Sequence, residues 1–294
     1  MARNRSLAML PADVDWCMAL DMDEVIVTPD FRKRLEWESR KEPTATRFSY
    51  PFWWNASTPA QPKVIFNSQK IHRREGYRWK HPVHEVLESI GPEKLVVAST
   101  IHVEHHADNS KPRSDYLPLL KLSVGEDPHD DRNAHYYGRE LFFYGRYDEA
   151  IAELKRHLAL PRAKWDAERS ASCRFIAKCY VEKREPWNAE PWFVQATQEY
   201  PGSRFPWFEL AKFYSDEKIW VDCVKAFRSM FTINDRDLNY MATDEPWGVA
   251  PYDLGSVAAY YAGDIEQASA WLKKAVEMNP SDQRLKNNGK FIFA

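Results

Sequence analysis

Asp21-Met22-Asp23-Glu24 closes the short apolar run Trp16-Cys17-Met18-Ala19-Leu20 and is followed by Val25-Ile26-Val27. A run of that length predicts a buried strand, and two carboxylates two residues apart at its end share one side of the chain. Such a pair can hold a hard divalent cation. Mg2+ and Mn2+ favour carboxylate oxygen and complete their shells with water and phosphate oxygens, and a metal that grips a diphosphate is what nucleotide-sugar chemistry needs. Acidic pairs after strands also cap helices or solvate loops, so the tetrapeptide alone does not decide.

Other polar signals crowd into the same half. Gly76-Tyr77-Arg78-Trp79-Lys80-His81-Pro82-Val83-His84-Glu85-Val86 precedes Ile101-His102-Val103-Glu104-His105-His106-Ala107-Asp108, and seven of the nine histidines lie between residues 72 and 129. Imidazoles at such density serve as proton carriers or metal ligands, or as surface and cap residues that coincide by chance.

The elements that must position these groups are set by the bulk of the chain. At 294 residues with 44% hydrophobic content it can bury one large core or two ordinary ones. A formal charge of −2 excludes a global pull toward nucleic acid or an anionic membrane. No apolar stretch approaches the ~20 residues that cross a bilayer, and the start is too short in apolar residues for a signal peptide, so a cytoplasmic protein is expected. Cys17, Cys173, Cys179 and Cys223 show no Cys-x-x-Cys spacing, which predicts reduced structural thiols. The 12 tryptophans serve core packing or stack on sugar faces.

Two halves follow different grammars. Up to about His106 the pattern is β-rich, with segments ending at Asp21 and over 44–54, 63–71 and 94–103, which reads as α+β. Pro51 places its segment at an edge or a bulge. After about Lys111 the pattern becomes helical. Gly145, Ala150 and Leu154 recur as Gly263, Ala268 and Leu272, while Ala189, Phe193, Ala196 and Pro201, and more loosely Cys223, Phe227 and Met230, fall at the same offsets. These stretches resemble tetratricopeptide repeats over about 131–284. Pro191 should kink its helix or confine it to a first turn, and 234–249 is a long insert before the last unit.

The ordered set formed by 12–24, by Gly76 to Glu85, by His105-His106-Ala107-Asp108 with Lys111 and Arg113, and by Tyr116-Leu117-Pro118-Leu119-Leu120 before helical repeats resembles family 2 glycosyltransferases that carry a tetratricopeptide tail. The resemblance implies a partial GT-A-like mixed-sheet core over 1–118 and a tetratricopeptide-like array over 119–294. It implies Asp21 and Asp23 as an Asp-x-Asp motif, Asp23 the direct ligand of Mn2+ or Mg2+ and Asp21 nearer the sugar. His105, with His106 as alternate, would complete the metal shell. Arg78, Trp79 and His84 would line the substrate site with Arg3 and Asn4, Arg113 would steady the leaving phosphate, and Glu85 would be the general base. The implied partners are a nucleotide-sugar donor and a glycan, protein or other hydroxyl acceptor. Since 20 residues precede the acidic motif, the resemblance further implies a core lacking its nucleotide-binding segment, with an exposed edge covered by a protein partner or a second copy.

A different class of protein fits the same chain: a binding or scaffold protein working through the concave face of its repeats, with the first half a remnant. A haloacid dehalogenase-type phosphatase would follow Asp-x-Asp with Gly-Thr rather than Glu24-Val25. A hydrolase built on His102, His105, His106 and Asp108 lacks helix-borne zinc spacing.

Overall fold

The computed structural model describes residues 2–54, 64–106, 116–236, 239–241 and 243–292. They form two units, 1–126 with 238–240, and 127–237 with 241–294. The expected boundary at 118/119 falls inside the helix Tyr116–Glu126.

The first unit is α+β. Its elements are α1 (Ala2–Ala8), β1 (Trp16–Met18), β2 (Glu24–Ile26), α2 (Phe31–Lys41), β3 (Arg47–Trp54), β4 (Val64–Arg73), β5 (Tyr77–Lys80), β6 (Val86–Ser89), β7 (Leu95–Val97), β8 (Val103–His105) and α3 (Tyr116–Glu126). The main sheet runs β1-β4-β3-β8-β2 with β7 also on β3, and β5 and β6 form a separate pair. Phe48, Tyr50 and Phe52 of β3 bury with Ile71, Ile101 and Val103, and Phe31 and Leu35 of α2 cover them. Trp16 stacks on Phe48 with ring centroids 4.6 Å apart, so the apolar run of β1 is spent on this core.

The sheet is mixed, as expected, and its strand order gives no support to a GT-A core. β1/β4, β3/β4 and β2/β8 are antiparallel, and only β3/β7 and β3/β8 are parallel. β2 and β3, joined through α2, flank β8 in opposite directions. The strand–helix–strand crossover that opens a nucleotide site is therefore missing among the described residues. Pro51 sits in an interior strand rather than at an edge. The sheet tolerates it because it lies beside a register shift between Phe48 and Tyr50, where pairing with β7 has ended at Ser49 and pairing with β8 begins at Phe52.

The second unit is a row of antiparallel helix pairs: α4 (Asp131–Phe143) with α5 (Tyr147–Ala159), α6 (Asp166–Glu182) with α7 (Pro186–Glu199), α8 (Arg204–Asp216) with α9 (Trp220–Phe231), α10 (Ala250–Tyr261) with α11 (Ile265–Met278), then α12 (Gln283–Ile292). One register runs through all four pairs. Each first helix ends in a left-handed residue, Gly145, Arg184, Lys218 and Gly263 in turn, and five residues later comes a fully buried small residue: Ala150, Ala189, Cys223, Ala268. The left-handed turn reverses the chain, and the small residue lets the helices approach. At Gly138 a Cβ would come within 2.6 Å of Leu154 Cγ.

α7 continues through Pro191 to Glu199, so the proline costs one internal hydrogen bond without confining the helix to a turn. The insert before α10 is tied down by Arg204, whose Nε donates to the Ile233 carbonyl at 2.8 Å while its guanidinium lies 3.8 Å from the Trp247 ring centroid. Along the row, α4 packs on α6, α6 on α8 and α8 on α10, with no comparable packing among α5, α7, α9 and α11. The first helices therefore form the inner rank of a curved array.

Candidate functional site

The acidic tetrapeptide is a turn rather than a strand end. Glu24 N donates to the Asp21 carbonyl at 3.0 Å, and Asp21 N donates to Glu24 Oε2 at 3.1 Å. In this turn Asp21 and Asp23 take different direct partners, although both act electrostatically on His105. The Asp21 carboxylate accepts from Arg3 of α1 and from Lys70 Nζ of β4, the latter at 2.8 Å. Lys70 also donates to the buried Glu24. Arg3 pairs with Glu85 as well, its guanidinium 4.7 Å from the Trp79 ring centroid. Beside it the Asn4 side chain donates to the Trp79 carbonyl at 2.9 Å and accepts from the Trp79 amide at 2.8 Å, as a neighbouring strand would. The structure thus brings Arg3, Asn4, Asp21, Trp79 and Glu85 together. Burial alone would raise the Asp21 carboxyl, but Lys70 and Arg3 overcome it and hold the group down to about 2.

Asp23 faces His105. His105 Nε2 lies 3.5 Å from Asp23 Oδ2, and the His105 ring stacks on Trp54 at 3.9 Å with planes 4° apart. Burial keeps this imidazole below its usual range against the pull of Asp23, which leaves it neutral at pH 7. His106 faces Glu104 at 3.2 Å. Strand alternation sends Arg78 away from Trp79 into solvent, where it pairs with Glu88 at 2.6 Å. His84 stacks on Tyr116 at 5.6 Å, and Arg113 lies outside the described residues.

The Mn2+ or Mg2+ centre expected from Asp21, Asp23 and His105 is not assembled. Among the described residues no three histidine, cysteine, aspartate or glutamate groups converge as ligands. Positive charge reaches Asp21 instead from Arg3 and Lys70, residues 18 positions before it and 49 after. Nothing local in the sequence announces Lys70 as a partner of this cluster.

The inner rank of helices carries a second polar arrangement. On α4, Arg132 and Arg139 flank the Tyr136 ring at 4.9 and 4.3 Å. On α6, Arg174 lies 4.2 Å from the Phe205 ring and Lys178 5.4 Å from Phe175. On α8, Lys212 lies 5.7 Å from Phe208. Glu209 receives both Arg174 and Lys178, at 3.0 and 2.5 Å. These two cations hold its carboxyl at about 2 although burial opposes them.

Similar solved structures are helical-repeat proteins. They include the crystal structure of MamA, 17% identical over 57% of this chain and 82% of that one with a TM-score of 0.44. The pilF protein of Pseudomonas aeruginosa is 15% identical over 59% and 72%, also at 0.44. YrrB, described as a TPR protein with an unusual peptide-binding site, is 15% identical over 60% and 82%, again at 0.44. No family model and no curated protein matches the sequence.

The resemblance to family 2 glycosyltransferases is corrected at its central motif: Asp21 pairs with Arg3 and Lys70, Asp23 faces His105, and no three ligand groups converge among the described residues. The implied nucleotide-sugar donor has no support in this arrangement. The helical-repeat architecture itself rests on the register of the four pairs. No helix among the described residues is long and apolar enough to cross a membrane.

Proposed function

We propose that the protein is a docking scaffold whose working surface is the inner rank α4, α6 and α8, and that it takes an extended segment rich in carboxylates. The observation that supports this reading is the row of cations on consecutive first helices, Arg132 and Arg139, then Arg174 and Lys178 sharing Glu209, then Lys212, each beside an aromatic ring. A cation over a ring is held in place by the ring face, which fixes the charged strip that a carboxylate-rich segment would meet. Curvature of the row turns this face into a concave strip, the shape that suits an unfolded peptide and buries it along several repeats. The first unit contributes a fixed sheet to which α1 is tied by Arg3 and Asn4.

The test is fluorescence anisotropy with a labelled acidic peptide, its amidated counterpart and a basic peptide of equal length. Acidic peptide alone is expected to bind, with an affinity that falls as salt rises. Lys178→Ala with Lys212→Ala is expected to weaken it about threefold to tenfold, the sum that two screened charge contacts supply. Equal binding of acidic and basic peptides, or none by either, would overturn the proposal.

A further inference from the structure

Buried between the first and second helix pairs lies a chain of four polar side chains contributed by three helices. His135 Nδ1 is 2.7 Å from Ser172 Oγ, Ser172 Oγ is 2.9 Å from His157 Nδ1, and His157 Nε2 is 3.4 Å from Glu168 Oε1. His135, Ser172 and His157 have no exposed surface and Glu168 has 3%. At the matching positions of the third pair the chain places Phe208 for His135 and Met230 for His157, both buried. The third pair thus fills with apolar side chains the positions that the first pair gives to imidazoles, while the second and fourth pairs place Arg174 and Asp253 at the position of His135.

Ser172 Oγ lies between the Nδ1 atoms of both rings, so its hydroxyl donates to one imidazole and accepts from the Nδ1–H of the other. His157 Nε2 stands 3.4 Å from Glu168 Oε1 without hydrogen-bond geometry. A proton added to His135 Nε2 would enter a buried position with no hydrogen-bond partner. The groups that face His135 are Arg132 and Arg139 of α4, His157 of α5, and Arg174 and Ser172 of α6, with the rings of Tyr136 and Phe175. His157 faces Glu168 and, more distantly, Glu199 of α7. Against His135 there is thus cationic charge from two helices.

We infer that the junction between the first and second helix pairs is an acid-sensitive latch: it is closed while His135 is neutral and releases α4 and α5 from α6 when the medium acidifies. The open state exposes His135, which then takes up a proton that the closed state refuses. Burial and the surrounding cations lower the closed-state affinity of His135 for a proton well below its ordinary value. The extra opening is accordingly absent above the ordinary imidazole range near pH 6.5 and grows as pH falls below it, about tenfold per unit for one such group. Carboxylates scarcely titrate between pH 7.5 and 5.5, so that window isolates the imidazoles. The chain supplies its own control, because no histidine follows His157, and α8 to α11 therefore have none to titrate.

The test is amide hydrogen exchange of the full chain at pH 7.5 and 5.5, corrected for the intrinsic rate at each pH. Amides of α4 and α5 are expected to open about tenfold more at pH 5.5 while those of α9 and α11 stay unchanged. In His135→Phe with His157→Met, which installs the third pair's own residues, the difference should vanish. A uniform change along the array, no change in α4 and α5, or a difference that persists in the double variant would overturn the inference. If the double variant fails to fold, the wild-type contrast between α4–α5 and α9–α11 decides by itself.

Discussion

Two junctions of the helical array meet the same backbone requirement with opposite chemistry. Between the first and second pairs sit His135, Ser172 and His157, buried and linked by hydrogen bonds, with buried Glu168 3.4 Å from His157. Between the third and fourth sit rings: Trp271 meets Phe227 at 6.2 Å and Phe231 at 5.4 Å, and Phe231 stacks on Tyr252 at 4.5 Å. Left-handed turns and small residues at fixed offsets bring helices together in both places. What differs is the free energy that holds them. Ring burial is insensitive to pH and scales with area removed from water, whereas the polar chain contributes only while every donor has its acceptor.

The comparison can be broken at its strongest point first. Trp271→Ala should cost about 3–5 kcal/mol by urea unfolding, because it opens a cavity against Phe227 and Phe231; a loss below 1 kcal/mol would mean that the aromatic junction is not what holds the last pair. Ser172→Ala removes the hydroxyl shared by two imidazoles and should cost about 1–3 kcal/mol at pH 7.5. Lys218→Gly sharpens the backbone side of the argument. Lys218 holds a φ of 59° that glycine adopts without strain, so the change should raise stability by several tenths up to about 1 kcal/mol, read as a higher midpoint without a change in slope. The smallest effect is expected outside both junctions. The folded-state Asp21 carboxyl titrates at about 2, below its ordinary 3.8, so its contribution is complete above pH 3.8 and is lost as pH falls toward 2. Its side chain is 42% exposed, and after screening Asp21→Asn should cost under about 1 kcal/mol at pH 7.

The repeat was legible where its backbone needs glycine. Gly145 and Gly263 carry the left-handed turn openly, and the first and last pairs stand out in the sequence for that reason. The middle pairs were fainter because Arg184 and Lys218 take the same conformation with side chains that look like ordinary surface charge. The acidic tetrapeptide misled for a geometric reason: β1 ends at Met18, three residues before Asp21, so strand alternation does not reach the motif. Its partners Arg3 and Lys70 come from other elements, and no local pattern can pair groups so far apart in the chain. The polar latch was invisible on different grounds. His135 and His157 occupy helical positions that read as core, and only the packing of α4, α5 and α6 shows that one serine lies between them.

The uneven contact between ranks of helices has a mechanical consequence. Because α4, α6, α8 and α10 touch in sequence and the outer helices do not, tighter coiling crowds the packed inner rank at once, while straightening closes free space between the outer helices and is opposed only by the inner seams that it pulls apart. The array is therefore stiff toward tighter coiling and yields more readily toward straightening, as far as its inner seams hold.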